Sequence, residues 1–243
     1  MAKTLILTGA SRGIGHATVK RFSADGWRVV TCSRQPFSPN CPWEGGPENH
    51  IQIDLADPRN LARGLAEMRK RLDGEGLAAL VNNAGISPKT ASGGRLGCLD
   101  TDLETWHRVF HVNFYAPLLL ARGLIEELEA ARGSIVNVAS IAGVRVHPYA
   151  GSAYATSKAA LNALTREMAA EFGPLGVRVN AIAPGEIETP ILSSGTEKLI
   201  PRIPIGRLGH AEEVANTIHF LCTEGASYIN GAEIFIDGGQ HVG

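Results

Sequence analysis

Long apolar runs are missing from this chain. The longest, Phe114 to Ala121, has eight residues and contains Pro117, against the ~20 that a membrane-spanning helix needs. A transmembrane reading is excluded on length. Runs of Lys or Arg are missing too, and 23 basic residues against 24 acidic ones give a formal net charge of −1. With no basic patch there is no electrostatic footprint for nucleic acid or for an anionic membrane surface. The opening Met-Ala-Lys-Thr-Leu-Ile-Leu-Thr-Gly carries only three strongly apolar residues before Thr8 and Gly9, too few for a signal-peptide core, so a cytoplasmic location is expected. Cysteine is scarce: Cys32, Cys41, Cys98 and Cys222 lie far apart, with no Cys-x-x-Cys and no histidine at metal spacing. Neither a disulfide framework nor a zinc site is suggested. His107 and His111 stand one helical turn apart but lack the glutamate and third ligand of a zinc site, so no metal is expected.

What remains is an ordinary globular composition, 44% hydrophobic and 19% charged over 243 residues, long enough to bury roughly 70–75% of its unfolded surface. β-rich runs recur at 4–8, 28–32, 51–53, 78–81, 134–138, 178–182 and 233–236, bounded by Gly, Asn or Asp. Helical patterns fall between most of them, at 13–24, 58–71, 103–128, 152–172 and 211–222. Such alternation predicts an α/β fold with a parallel sheet covered by helices on both faces. Neither a repeat nor a linker divides the chain, so one domain over 1–243 is expected. One crossover reads as a loop: residues 34–49 hold Pro36, Pro39, Pro42 and Pro47 together with Gly45 and Gly46. A second irregular stretch, 87–100, carries Pro88, Gly93, Gly94 and Gly97 and is expected at the surface beside the site.

The first run and the first helix are joined by Thr8-Gly9-Ala10-Ser11-Arg12-Gly13-Ile14-Gly15. Glycines here let backbone approach a pyrophosphate, while the helix N-terminus supplies free N–H donors and partial positive charge. The same glycines would also serve a plain tight turn. They match a nucleophile elbow as well, since Gly9-Ala10-Ser11-Arg12-Gly13 reads Gly-x-Ser-x-Gly. An elbow serine, however, relies on an oxyanion donor from a loop after an earlier strand, and only a few residues precede this one. Which dinucleotide is bound turns on the end of the second run, Thr31-Cys32-Ser33-Arg34-Gln35. An NAD site typically offers a carboxylate there, and an NADP site an arginine. None of these five residues is acidic, so Arg34 and Arg12, with Ser33, point to NADP, with NAD as the alternative.

Tyr154 and Lys158 stand four apart near the start of the fourth predicted helix, which puts both on one face. A phenol of ordinary pKa ~10 is a poor proton carrier at neutral pH, and a neighbouring ammonium favours its phenolate. With Thr8–Gly15, Asn82-Asn83-Ala84-Gly85, Asn113, Ser140, Pro184-Gly185 and Asp237-Gly238-Gly239 in order along the chain, the sequence resembles the short-chain dehydrogenase/reductase family over essentially its whole length.

That resemblance implies a doubly wound Rossmann-type fold and a catalytic set of Asn113, Ser140, Tyr154 and Lys158. Tyr154 would exchange the proton of a carbonyl or alcohol while hydride passes to or from a nicotinamide, and Ser140 would hydrogen-bond the same oxygen. Lys158 would hold the nicotinamide ribose and lower the Tyr154 pKa, and Asn113 would anchor a water linking Lys158 to solvent. Cofactor contacts carry over to Gly9, Ser11, Arg12, Gly13, Ile14 and Gly15 at the turn. They carry over also to Ser33 and Arg34, to Asp54 and Leu55 at the adenine, and to Asn83, Ala84 and Gly85. At the nicotinamide they fall on Pro184, Gly185, Ile187 and Thr189, besides Tyr154 and Lys158.

Residues 186–206 resemble the family's substrate lid, with Gly195 and Gly206 as hinges and several Ile and Leu as an apolar cover. A homotetramer, common in the family, is implied. The chain departs from the pattern in the spacing of Ser140 and Tyr154, one residue longer than usual, with His147-Pro148-Tyr149 between them. Tyr149 cannot stand in for Tyr154, because Ala153 rather than lysine lies four residues on. Similarity runs both to 3-oxoacyl-carrier-protein reductases and to sugar and polyol dehydrogenases. The helix ends that would meet an acidic carrier read Glu126-Glu127-Leu128-Glu129 and Glu171-Phe172-Gly173, so steering of such a partner would be weak. The expectation is an oxidoreductase for a small ketone or secondary alcohol. A 3-oxoacyl-carrier-protein reductase and a non-catalytic nucleotide-binding protein are the alternatives.

Overall fold

A computed structural model describes residues 2–37, 43, 45–189 and 195–242. Seven strands form one parallel sheet in the order β3-β2-β1-β4-β5-β6-β7. They are β1 (Thr4–Thr8), β2 (Arg28–Ser33), β3 (His50–Gln52), β4 (Ala79–Asn82), β5 (Ser134–Val138), β6 (Arg178–Pro184) and β7 (Glu233–Ile236). Every expected strand is present: three have the expected bounds and four have ends moved by one or two residues. Chain order reverses between β1 and β4, the place where a doubly wound sheet opens a crevice at its carboxyl edge.

The five inner strands are buried on both faces, which is why they read as near-continuous apolar runs. Alternate residues of β1 serve opposite sides. Ile6 packs with Leu61, Met68 and Leu72 of α2 (Pro58–Leu72), Leu120 of α4 (Ala116–Gly123) and Met168 and Phe172 of α6 (Ser152–Phe172). Leu5 and Leu7 pack with Val19 and Phe22 of α1 (Gly13–Ala24) and Val214, Ile218 and Leu221 of α7 (Ala211–Leu221). Phe22 is wholly buried and meets Trp27 and His219 edge-on, with ring centroids 5.0 and 4.9 Å away.

Local chemistry sets the helix starts. Asp57 caps α2 by accepting from the Arg59 and Asn60 amides, with Pro58 in the first helical position. Asp102 caps α3 (Leu103–Phe110) by accepting from the Thr105 amide at 2.6 Å.

The stretch expected as one helix over 103–128 is instead three helices. α3 runs into a π-helical turn, His111–Tyr115, then α4, and after a break at Leu124 comes α5 (Ile125–Ala131). Pro117 stands in the first turn of α4, where its missing N–H costs least. The wider π turn shifts the register of side chains, and a 3.6-residue periodicity drawn through it cannot see it. The 34–49 crossover holds no α-helix among its described residues, only a short 3₁₀ turn at Pro47–Asn49. Residues 38–42 and 44, with Pro39, Cys41 and Pro42, lie outside the described residues. The 87–100 stretch is irregular as expected, closed by a single antiparallel bridge between Lys89 and Arg95.

Phe22→Ala removes the aromatic centre of the α1–α7 layer, and a deletion of this kind costs about 3–5 kcal/mol. The chemical-denaturation midpoint should fall accordingly, with little change in the slope of the transition.

Candidate active site

The crevice at the β1–β4 reversal opens into a cavity of about 1330 Å³, larger than the roughly 300–1,000 Å³ usual for a small-molecule site. It is long enough to touch Arg34 and Asp54 at one end and Tyr154 and Glu186 at the other.

At its floor lies the glycine turn, held by β4. The Asn83 side-chain amide donates to the Thr8 carbonyl at 3.1 Å and the Gly9 carbonyl at 2.9 Å, while the Thr8 hydroxyl accepts from the Asn83 and Ala84 amides at 3.1 Å. Space is so short that a Cβ on Gly9 would stand 2.8 Å from Ala84 Cα, and one on Gly15 would stand 2.1 Å from the Gly9 carbonyl oxygen. Gly9 and Gly13 have φ of +71° and +55°, which L side chains rarely adopt. Only glycine fits, and it leaves bare backbone and the start of α1 facing the cavity. That is the cradle a pyrophosphate requires. Gly15 therefore acts from behind the cavity wall, whereas Gly9, Ser11, Arg12, Gly13 and Ile14 line it.

At the adenosine end Ser33, Arg34, Asp54 and Leu55 line the cavity. Ser33 Oγ donates to the Gln35 carbonyl at 2.9 Å, and Asp54 Oδ1 accepts from the Ala56 amide at 3.0 Å. Neither Arg12 nor Arg34 makes an ion pair among the described residues.

Ser140, Tyr154 and Lys158 converge at the other end with Ala84 and Gly85. Lys158 is 3% exposed, donates to the Val138 carbonyl at 2.6 Å and sits 5.8 Å from the Tyr154 ring centre. Asn113, on the π turn, is fully buried. Its carboxamide accepts from the Ile86 amide at 2.9 Å and donates to the Ile86 carbonyl and to Ser157 Oγ at 3.0 Å. Its site is thus behind the wall, joining the β4 loop to α6. A Cβ on Gly85 would stand 3.4 Å from Lys158 Nζ and 3.5 Å from Asn113 Oδ1, so the glycine keeps the space between them open.

Burial decides the electrostatics. It pushes the Tyr154 phenol above its usual value, the Ser140 hydrogen bond opposing and the Glu186 charge adding to the rise. Burial also brings Lys158 down to about 8. The expected lowering of Tyr154 by Lys158 is therefore not found in the protein alone: desolvation dominates the phenol against the Ser140 hydrogen bond, and desolvation also weakens the ammonium.

Pro184, Gly185, Ile187 and Thr189 line the cavity beside Tyr154. Gly185 backs onto the C-terminal Asp237-Gly238-Gly239 turn, where a Cβ would meet Asp237 at 2.7 Å. Ile187 bridges in parallel to Gly209, which pins this segment to the start of α7. Beyond it, residues 196–202 form a 3₁₀ helix and 190–194 lie outside the described residues. Gly195 and Gly206 both adopt positive φ.

Three further lining residues, Lys89, His147 and Glu186, were not picked out by sequence reasoning as site residues. A signal existed for one of them. Glu186 puts a charge directly after Pro184-Gly185 at a point where the chain returns to the cavity. No cluster of metal-ligating side chains occurs among the described residues.

Comparison with known proteins agrees with this geometry. A family model described as "Enoyl-(Acyl carrier protein) reductase" matches residues 9–241. Protein FixR of Bradyrhizobium diazoefficiens is 60% identical over 99% of this chain and 87% of its own length. An oxidoreductase of the short-chain dehydrogenase/reductase family from Brucella ovis, solved in complex with a partially ordered NAD, is 60% identical. It covers 97% of this chain and 100% of its own, with a TM-score of 0.85. A 3-oxoacyl-[acyl-carrier protein] reductase from Brucella melitensis, solved with bound NAD, is 30% identical and covers 98% of this chain and 91% of its own, with a TM-score of 0.86. Glycine cradle, crevice and the Ser140–Tyr154–Lys158 cluster thus stand on a chain that belongs to the short-chain dehydrogenase/reductase family of oxidoreductases.

Proposed function

We propose that the chain is an NADP(H)-preferring oxidoreductase that interconverts a small free ketone and a secondary alcohol, with Tyr154 as acid and base. The observation that carries this is the meeting of Ser140, Tyr154 and Lys158 at one end of a cavity whose other end is the glycine cradle. The nicotinamide supplies or takes the hydride.

In reduction Tyr154 gives its phenolic proton to the carbonyl oxygen, and in oxidation it takes the alcohol proton. Ser140 donates a hydrogen bond to the same oxygen and stabilises the charge that develops there. Lys158 holds the ribose and favours the Tyr154 phenolate. Asn113 fixes the Ile86 backbone and Ser157 and faces the space beside Lys158 in which a connecting water would sit. Residues 186–206 act as the lid.

NADP preference rests on Arg34 and Arg12, two guanidinium groups without a carboxylate partner among the described residues. Both line the adenosine side of the cavity and suit a phosphate dianion. NAD is the second reading, favoured by the relatives solved with NAD. Reduction of a carrier-bound 3-oxoacyl group is favoured only by relatives' names. Against it stand the acidic α5 and the ion pairs of Arg69 with Glu126 and Glu127, which leave little positive charge there. We take the homotetramer and the cytoplasmic location as part of the same reading. Strand β7, a sheet edge with Ile234 and Ile236 half-buried, and exposed Leu103 and Tyr115 supply surface for self-association.

Titration with NADPH and NADH, read by nicotinamide fluorescence, should give tighter NADPH binding that weakens by about 10- to 100-fold in Arg34→Ala. Tighter NADH binding would overturn the cofactor preference, and binding of neither would overturn the dehydrogenase assignment. With the bound cofactor, Tyr154→Phe should abolish ketone reduction. A protein that only senses nucleotide would show no turnover before the change either.

Lys158 also makes a stability prediction. Its folded pKa of about 8 lies below the 10.5 of an exposed lysine, so its burial as an ammonium is unfavourable below pH 8. That cost fades as pH rises from 8 to 10.5, where the unfolded chain still holds a proton that the folded one has lost. Lys158→Met should abolish activity and yet stabilise the cofactor-free protein at pH 7 by roughly 1–3 kcal/mol. Thermal unfolding across pH 7–10.5 should show the gain shrinking to nothing.

A further inference from the structure

Lys89, His147 and Glu186 line the cavity next to Tyr154 and take no part in the proton transfer described above. Their hydrogen bonds fix the state of each. His147 Nδ1 accepts from the Tyr149 and Ala150 amides, both at 3.2 Å. An imidazole nitrogen that accepts two N–H bonds carries no proton, so the proton is on Nε2, which donates to Glu186 Oε1. His147 is thus neutral and clamps the Glu186 carboxylate without cancelling its charge. Glu186 Oε2 has no partner among the described residues, in a side chain 11% exposed.

Lys89 is the opposite case. Its half-buried ammonium donates to the Tyr149 carbonyl. No carboxylate lies within ion-pair distance among the described residues, and at least one of its three N–H donors remains unused. The wall that carries it is stiff. Arg95 donates to the Ala150 carbonyl at 2.7 Å, and the Ser152 amide donates to the Leu96 carbonyl at 2.9 Å, tying the 87–96 segment to the 147–152 loop.

One cavity therefore holds a carboxylate and an ammonium that sense each other's charge but are kept from pairing, each by a neutral backbone or imidazole partner. Opposite charges half out of water ordinarily pair. Two that are held apart with free valences are organised for a third body carrying the complementary pair. Glu186 also works against Tyr154 in the empty cavity by raising its pKa, a cost that a cation brought beside it would offset.

We propose that Glu186 binds the ammonium group and Lys89 the carboxylate group of a zwitterionic substrate. The alcohol or ketone presented to Tyr154 would then be carried by a hydroxy- or oxo-amino acid. This rests on the dehydrogenase reading of Tyr154 and narrows its substrate class. His147 is a positioning residue, which aims the Glu186 carboxylate.

The test is a matched panel oxidised by the protein with saturating NADP⁺ or NAD⁺: threonine, its amine-free counterpart 3-hydroxybutanoate, its carboxylate-free counterpart 1-amino-2-propanol, and 2-propanol. The same four with one more methylene between the carbinol and the charged carbon cover substrate length. The zwitterion of one set should exceed each single-charge analogue in kcat/KM by about 10-fold or more. Glu186→Gln, which keeps an acceptor for His147, should erase the advantage over the amine-free compound and keep the advantage over the carboxylate-free one. Lys89→Met should do the reverse.

Cofactor titration of each variant verifies its fold. Equal use of the uncharged alcohols, or preferences unmoved in both variants, would overturn the proposal. Binding is read separately, as the change in nicotinamide fluorescence of the reduced-cofactor complex when each compound is added. Zwitterions that bind no better than their analogues overturn it even without turnover. Selective zwitterion binding, with no oxidation in this panel and no reduction across a general ketone panel, would sink the dehydrogenase reading and leave the charge reading standing.

Discussion

Everything at the site hangs on a short piece of backbone held where no side chain fits. The turn after β1 must run close enough to β4 for Asn83 to bond two successive carbonyls, those of Thr8 and Gly9, and for the Thr8 hydroxyl to take two amides in return. That reciprocal clamp fixes the start of α1 and thereby aims its free amides into the crevice. It also aligns the β4 loop, Ala84 to Ile86, against which the other end of the site is built. Gly9 and Gly15 are a consequence of the clamp: closeness of 2.1–2.9 Å at the positions a Cβ would occupy leaves no other residue type.

From the clamp a line of buried amides carries the alignment across the sheet. Asn82 donates to Asn137 at 2.9 Å, and Asn137 donates to Thr165 of α6 at 2.9 Å. Asn113 closes the circuit from the other side, binding Ile86 and Ser157. Such side chains are expensive to bury unless satisfied, so they specify one register between β4, β5 and α6. Tyr154 and Lys158 are carried on the first turns of that helix. Their position relative to the glycine cradle is thus set by a chain of hydrogen bonds that begins at Thr8, not by the packing of α6 alone.

Periodicity and turn chemistry made the fold legible in the sequence, while most of the site residues came from the family resemblance. The strands are short, β-rich and bounded by turn residues, the helix caps Asp57 and Asp102 are of ordinary type, and the Pro- and Gly-rich crossover could not be a helix. Legibility failed where tertiary demands override local ones. The π turn at His111–Tyr115 carries Asn113, which bonds Ile86 and Ser157 at once, and nothing in a 3.6-residue pattern announces an extra residue in one turn. The direction of the Tyr154 and Lys158 shifts was hidden for a different reason. Sequence supplies the two partners and their spacing, but desolvation depends on the walls around them. Lys89 and His147 were hidden because they come from separate loops that the tie between residues 87–96 and 147–152 brings to one cavity, where Glu186 arrives from the end of β6.

The same walls explain why the site in isolation is set against its own chemistry. A proton carrier at neutral pH needs a phenol that ionises more easily than usual and a neighbour that stays charged. Here burial moves both in the wrong direction, and Glu186 adds to it. Lys158 is 3% exposed, and among the described residues the Val138 carbonyl is its hydrogen-bond partner. On the proposed reading, positive charge and hydrogen-bond donors of a bound molecule would offset both shifts. Burying Lys158 as an ammonium costs stability that an apolar side chain there would not, so at this position packing and the proposed chemistry pull in opposite directions.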